Sequence, residues 1–158
     1  MTTACTIRRA LPTDLPFVYD GELDYIRTIE PQQETRWRDG MRHHLKQWTD
    51  DLPRMVVAER DDRVVGYCFW ETNGDAAVLA SIYVNASERG KGLGRQLLDS
   101  YMTDARDAGF YTLKLGVKPD NPARHLYEAA GFESTHEERG YRHYVLNVAR
   151  SAPPASAQ

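Results

Sequence analysis

Residues 89–95 read Arg-Gly-Lys-Gly-Leu-Gly-Arg, three glycines within five positions bracketed by arginines and followed by helix formers. Glycines without Cβ atoms let backbone amides approach a ligand closely. The first turn of a helix adds unpartnered N–H groups and the positive end of the macrodipole, so the run suits an anion such as phosphate. The competing reading is a turn with no ligand. Two nucleotide patterns fail on spacing. Walker A needs GxxxxGK and then Ser or Thr, and the dinucleotide GxGxxG counted from Gly92 meets Leu97 at its sixth place. What stands is R-x-x-G-x-G, from Arg89 through Gly90, Lys91, Gly92 and Leu93 to Gly94.

The elements around this run follow from periodicity. "CTIRRA" (5–10) reads as a strand, and Thr13 or Asp14 can cap a helix through Phe17, Val18 and Leu23. Trp37, Met41, Leu45 and Trp48 recur at helical spacing and predict a second helix. "RMVVAER" and "VVGYCFWE" are β-rich runs joined at Asp61-Asp62. "AVLASIYV" follows across Asn73-Gly74, a strong hairpin signal. A helix from about Gly92 to Ala108 carries the stripe Leu93, Leu97, Leu98, Tyr101, Met102 and Ala105. "FYTLKLGV" is the next strand, and a right-handed crossover makes it parallel to the strand before the glycines. In "NPARHLYEAAGF", Asn121 fits an N-cap, Pro122 a first helical position and Gly131 a C-cap. Strands near 132–136 and 141–148 end the sheet.

These elements predict an α/β fold: a mixed, mostly antiparallel sheet with a central parallel βαβ unit and helices on both faces. One domain spans 1–150, and 151–158, "SAPPASAQ", reads as a disordered tail. Ligands tend to bind beside the strand ends of such a parallel pair.

Composition narrows the partners. The chain has 158 residues, a net charge of −3 and a pI near 5.9, which argues against a nucleic-acid binder. Cys5 and Cys68 are far apart, so a reducing, cytoplasmic setting is expected rather than a disulfide scaffold. The N-terminus lacks the apolar core of a signal peptide, and no apolar run reaches membrane-span length. His43 and His44 point to different sides of a helix, and His125, His136 and His143 are scattered, so no metal is expected.

Two motifs carry a family resemblance. "IYVNASERGKGLGRQLL" and, downstream, "NPARHLYEAAGF" resemble, in order and spacing, the paired signatures of the GNAT superfamily of acyl-CoA-dependent N-acetyltransferases. The resemblance covers about residues 5–148 and is sharpest from Ile82 to Phe132. It implies acetyl-CoA as cosubstrate and an amine acceptor: a small molecule, an amino acid or a peptide or protein N-terminus. It further implies that Ile82, Tyr83 and Val84 pair with the pantetheine arm, and that Arg89, Gly90, Lys91, Gly92, Leu93, Gly94 and Arg95 hold the pyrophosphate. Asn121 would contact the cofactor, and Tyr127 would sit by the thioester sulfur as general acid. A phenol titrates near ~10 and a thiol near ~8.5, so the donor matches the leaving group. An oxyanion could be met by a backbone N–H around Val84. Homodimers are frequent in the family.

The chain departs from the family in one respect. Many relatives carry a glutamate base on the strand that here reads "AVLASIYV", which contains no acid. Glu71, Glu30 and bulk water remain open as proton acceptors, and Ser81 as a water-positioning group. A non-catalytic CoA-binding sensor of the same fold is the alternative. The acceptor segment mixes Glu22, Asp24, Tyr25, Glu30 and Glu34 with Arg27, Arg36 and Arg38, and Tyr25 and Glu30 are the substrate-binding candidates within it.

Overall fold

Apolar residues in unbroken runs make strands that are covered on both faces. Met55 to Ala58 is such a run and is wholly buried. In the computed structural model, which describes residues 4–149, it opens β2 (Met55–Arg60). The other strands are β1 (Thr6–Arg9), β3 (Arg63–Asn73), β4 (Ala76–Val84), β5 (Thr112–Val117), β6 (Glu133–Glu138) and β7 (Tyr141–Asn147). They form one seven-stranded sheet in the order β1-β2-β3-β4-β5-β7-β6, antiparallel throughout except for β4 beside β5. The predicted α/β sheet with one parallel pair is therefore present. The Asp61-Asp62 turn has both residues at positive φ, and Gly74 takes φ +61 in the next hairpin. The tail 151–158 lies outside the described residues.

Helices cover both faces. On one, α4 (Leu93–Asp107) and the short α5 (Arg124–Ala129) pack on Val56, Cys68, Trp70, Leu113 and Tyr144. Leu97 and Leu98 are fully buried there, each contributing roughly 1.5–3 kcal/mol of apolar burial. On the other face, α1 (Leu15–Ile29) and α3 (Met41–Asp50) bury Val18 and Trp48 against Met55, Val57, Tyr67 and Phe69.

Three predicted details are corrected. The single helix expected over Trp37 to Trp48 is two, α2 (Glu34–Asp39) and α3, interrupted at Gly40, whose N–H turns back to Arg36 and Trp37. Asp14 does not cap α1 through its side chain. Its carboxylate instead takes two hydrogen bonds from Arg8, and one from the Leu11 N–H. Asn121 and Pro122 precede α5 rather than begin it, with Asn121 Oδ1 accepting the Ala123 N–H at 2.9 Å to fix a turn before the helix.

The feature that makes a site is where β4 and β5 part. Their ladder covers only Ala76↔Thr112, Ala77↔Leu113 and Val78↔Lys114. Just beyond, the β3–β4 register shifts, Phe69 facing Ser81 and Trp70 facing Leu79, which leaves Ala80 as a bulged extra residue. A bulge bends its strand. Past it β4 stays with β3 while β5 continues to pair with β7, so a wedge opens between the two parallel strands.

Candidate active site

A cleft of about 670 Å³ fills this wedge. Its floor is the β4 segment from Ala80 to Val84, one wall is α1, and the other comes from Gly116, Val117 and the 121–127 segment. Backbone polarity along β4 follows from one bond. The Asn85 N–H donates to Val65 O on the β3 side. Antiparallel ladders alternate, so the N–H groups of Ile82 and Val84 face the other way, into the cleft with no strand to pair with. Side chains alternate likewise: Ile82 and Val84 pack toward the α4 face, while Tyr83 packs toward α1.

At one end lies the glycine run. Gly90 and Gly92 have φ +78 and +84, and a Cβ built on either meets nothing within 4 Å. The backbone is thus left-handed and uncrowded where it enters α4, whose first intrahelical bond is Gln96 N–H to Gly92 O. The N–H groups ahead of Gln96 are free of intrahelical partners, and an anionic group fits there. Of the run, Arg89 and Gly94 line the cleft, Lys91 and Arg95 are exposed, and Leu93 buries its side chain in the core. Arg95 pairs with Asp99 at 2.9 Å. Arg89 crosses the cleft mouth: its Nε donates to Val84 O at 3.0 Å, its guanidinium lies over the Tyr83 ring, and Asp24 is 3.6 Å away. Tyr83 donates to the same Asp24 at 2.7 Å.

Tyr127 comes from the opposite wall, nearly buried against Phe132 yet lining the cleft. Burial pushes its phenol well above the ordinary tyrosine range, so it stays protonated. Asn121 lines the cleft nearby, with its side-chain oxygen already used on Ala123.

The acceptor side holds the two substrate candidates together. Glu30 is buried, and takes hydrogen bonds from Tyr25 at 3.0 Å and from Tyr141, with Lys118 Nζ at 3.8 Å. Glu71 is not brought here. It bonds Gln47 near Asp51, outside the residues that line the cleft.

Residues 22–132 match the acetyltransferase (GNAT) family.

The chain belongs to that family.

As a GNAT protein it is an acetyl-CoA-dependent N-acetyltransferase. It is 31% identical to the [ribosomal protein bS18]-alanine N-acetyltransferase of Haemophilus influenzae, over 75% of this chain and 81% of the relative. It is 34% identical to the L-amino acid N-acyltransferase MnaT of Escherichia coli, over 51% of each, so it spans about half of that relative. Among solved structures, the fold is similar to the PaiA N-acetyltransferase of Thermoplasma acidophilum in complex with coenzyme A. The TM-score there is 0.79 at 15% identity, covering 92% of this chain and 99% of the other.

Two residues of this GNAT site are not read as site residues in the sequence, and a third is read there only within the mixed acceptor segment. Tyr141 and Trp37 line the cleft from β7 and α2, and Glu22 from α1 is bonded to Ser81. No local pattern marks Tyr141, since its partner is 111 residues away. Glu22 is visible only as one acid among many. The histidines are also less scattered than their positions suggest. The β6–β7 register stacks His136 on His143, 4.7 Å apart, with Glu138 beside them. Their ligand atoms all lie within 4.8 Å of one another, so this trio could hold a metal ion. No helix among the described residues is long and apolar enough to cross a membrane.

Proposed function

We propose that this chain moves an acetyl group from acetyl-CoA to a primary amine that carries a neighbouring carboxyl or carbonyl group, an amino acid or a peptide N-terminus. The observation that carries this reading is the wedge past Ala80. It leaves two cleft-facing N–H groups, Ile82 and Val84, between an anion-ready helix start and the Tyr127 phenol. The pantetheine arm adds to β4 as an extra strand along Ile82, Tyr83 and Val84. The pyrophosphate rests on the amides of 89–94, with Arg89 swinging from Val84 O to meet it and Arg95 at the rim. Asn121 holds the arm from the far wall. A cleft-facing β4 amide meets the oxyanion.

Acceptor class is supported by two features. The relatives at 31% and 34% identity act on a protein alanine and on L-amino acids. Here Glu30, fixed by Tyr25 and Tyr141, offers a negative site to the ammonium, while Lys118 beside it offers the opposite charge to a carboxylate or peptide carbonyl.

Calorimetry with acetyl-CoA, followed by thiol release across a panel of amino acids, short peptides and polyamines, tests the reading. Binding with turnover strongest on amino acids or peptides is expected. Binding with no turnover on any amine points instead to a CoA-sensing module, and no binding at millimolar acetyl-CoA removes both.

A further inference from the structure

Strand β4 brings no acid to the cleft, yet α1 does. Glu22 lies one helical step after Gly21, where α1 comes close to the sheet. A Cβ at Gly21 would sit 2.6 Å from Tyr67 Oη and 2.9 Å from Tyr83 Cδ2. Only the missing side chain lets the helix settle there, and that approach lowers Glu22 onto β4. Its Oε2 accepts a 3.1 Å hydrogen bond from Ser81 Oγ, the residue directly after the bulge. The bulge and the glycine thus act together, one turning Ser81 toward α1 and the other admitting the carboxylate.

We infer that Glu22, held by Ser81, is the proton acceptor for the incoming amine. The inference rests on the transferase reading above.

Its surroundings fit the role. The groups that face Glu22 are the phenol of Tyr67 from β3, Ser81 from β4, and Tyr25 from its own helix. None is cationic, and Arg89 at the mouth is engaged with Val84 O and Asp24. Burial therefore dominates, and pushes the carboxyl up to about 7 against the hydrogen bonds from Ser81 and Tyr67. A base poised near neutrality can take a proton from an ammonium and release it again.

The protons then balance. Glu22 takes one from the ammonium, freeing the nitrogen lone pair to attack the thioester carbonyl carbon. The C–N bond forms as the carbonyl π electrons move onto oxygen; collapse of that oxyanion breaks the C–S bond, and Tyr127 gives its proton to the departing sulfur. The second proton lost from nitrogen returns to the Tyr127 phenolate, and Glu22 sheds its own to water. The net result is amide, thiol and one proton.

The test is the pH profile of kcat/KM in Glu22→Gln, whose amide still accepts from Ser81. With strongly basic amines we expect a roughly 10²–10⁴-fold loss and disappearance of the acidic limb near pH 7, with acetyl-CoA affinity unchanged by calorimetry. With a weakly basic aromatic amine, already neutral at pH 7, the loss should be much smaller. Ser81→Ala provides a second readout: the carboxylate remains, and the acidic limb moves to higher pH because a hydrogen bond to the charged form is gone. A Glu22→Gln profile matching the native one, in a variant that binds acetyl-CoA normally, overturns the inference while the transferase reading stands. A native chain that turns over no amine overturns both.

Discussion

Tyr141 Oη donates to both carboxylate oxygens of Glu30, at 2.8 and 2.9 Å, and so ties β7 to the end of α1 across the mouth of the cleft. Lys118 lies over the Tyr141 ring, 4.6 Å from its centroid, and completes the cluster. Tyr141→Phe leaves the buried Glu30 with Tyr25 and a distant ammonium. A hydrogen bond to a charged group is worth roughly 1.5–3 kcal/mol. The KM for the acceptor should rise about tenfold or more, with acetyl-CoA affinity little changed, as steady-state kinetics against both substrates will read. An unchanged acceptor KM would place recognition elsewhere.

Tyr127→Phe keeps the ring in its pocket against Phe132 and removes only the hydroxyl. A general acid contributes on the order of 10²–10⁴-fold, so kcat should fall by that range while calorimetry finds acetyl-CoA binding intact. Full activity at saturating substrate would assign protonation of sulfur to water.

Two glycines should respond differently to alanine. At Gly66 the new Cβ would lie 2.8 Å from Tyr83 O and 3.2 Å from Leu97 Cδ1, so the β3–β4 backbone must shift and the Leu97 side chain must yield. Overpacking of this kind costs about 1–3 kcal/mol, to be read as a lowered urea midpoint. At Gly92 there is open space but φ is +84. The expected stability loss is about 1–2 kcal/mol of backbone strain, with a larger fall in acetyl-CoA affinity than Gly66→Ala produces.

Acid stability should be unusual. Burial, then hydrogen bonding with Glu71, pushes the Asp51 carboxyl from 3.8 up to about 7, with Arg54 opposing. Between about pH 4 and 7 the folded chain keeps a proton that the unfolded chain releases, so stability falls as pH rises through that window. Glu22, also raised to about 7, acts with the same sign. Asp51→Asn removes one of the two contributions and should flatten the slope by about half, measured by urea denaturation across the window. An unaltered slope would show that Asp51 is ionised throughout.

Much of this protein is readable in sequence because the controlling physics is local. Period-two runs, the Asn73-Gly74 and Asp61-Asp62 turns and the stripe of α4 predict the sheet order around the βαβ unit. The glycines of 89–94 and the LYEAAGF segment point to a site through their resemblance to the family's paired signatures. The break at Gly40 and the late start of α5 were less legible, since short helices end where backbone hydrogen bonds find other partners.

Local sequence is enough to specify the fold, the family and the strand, loop and helix that line one side of the cleft, because neighbours along the chain set strand pairing and helix starts. Which acids reach the cleft is settled only by long-range packing. Glu22 meets Ser81 across 59 residues and Glu30 meets Tyr141 across 111. A carboxylate's proton affinity depends on what desolvates and bonds it in space, and for these two that is settled by the bulge at Ala80, the close approach at Gly21 and the return of β7.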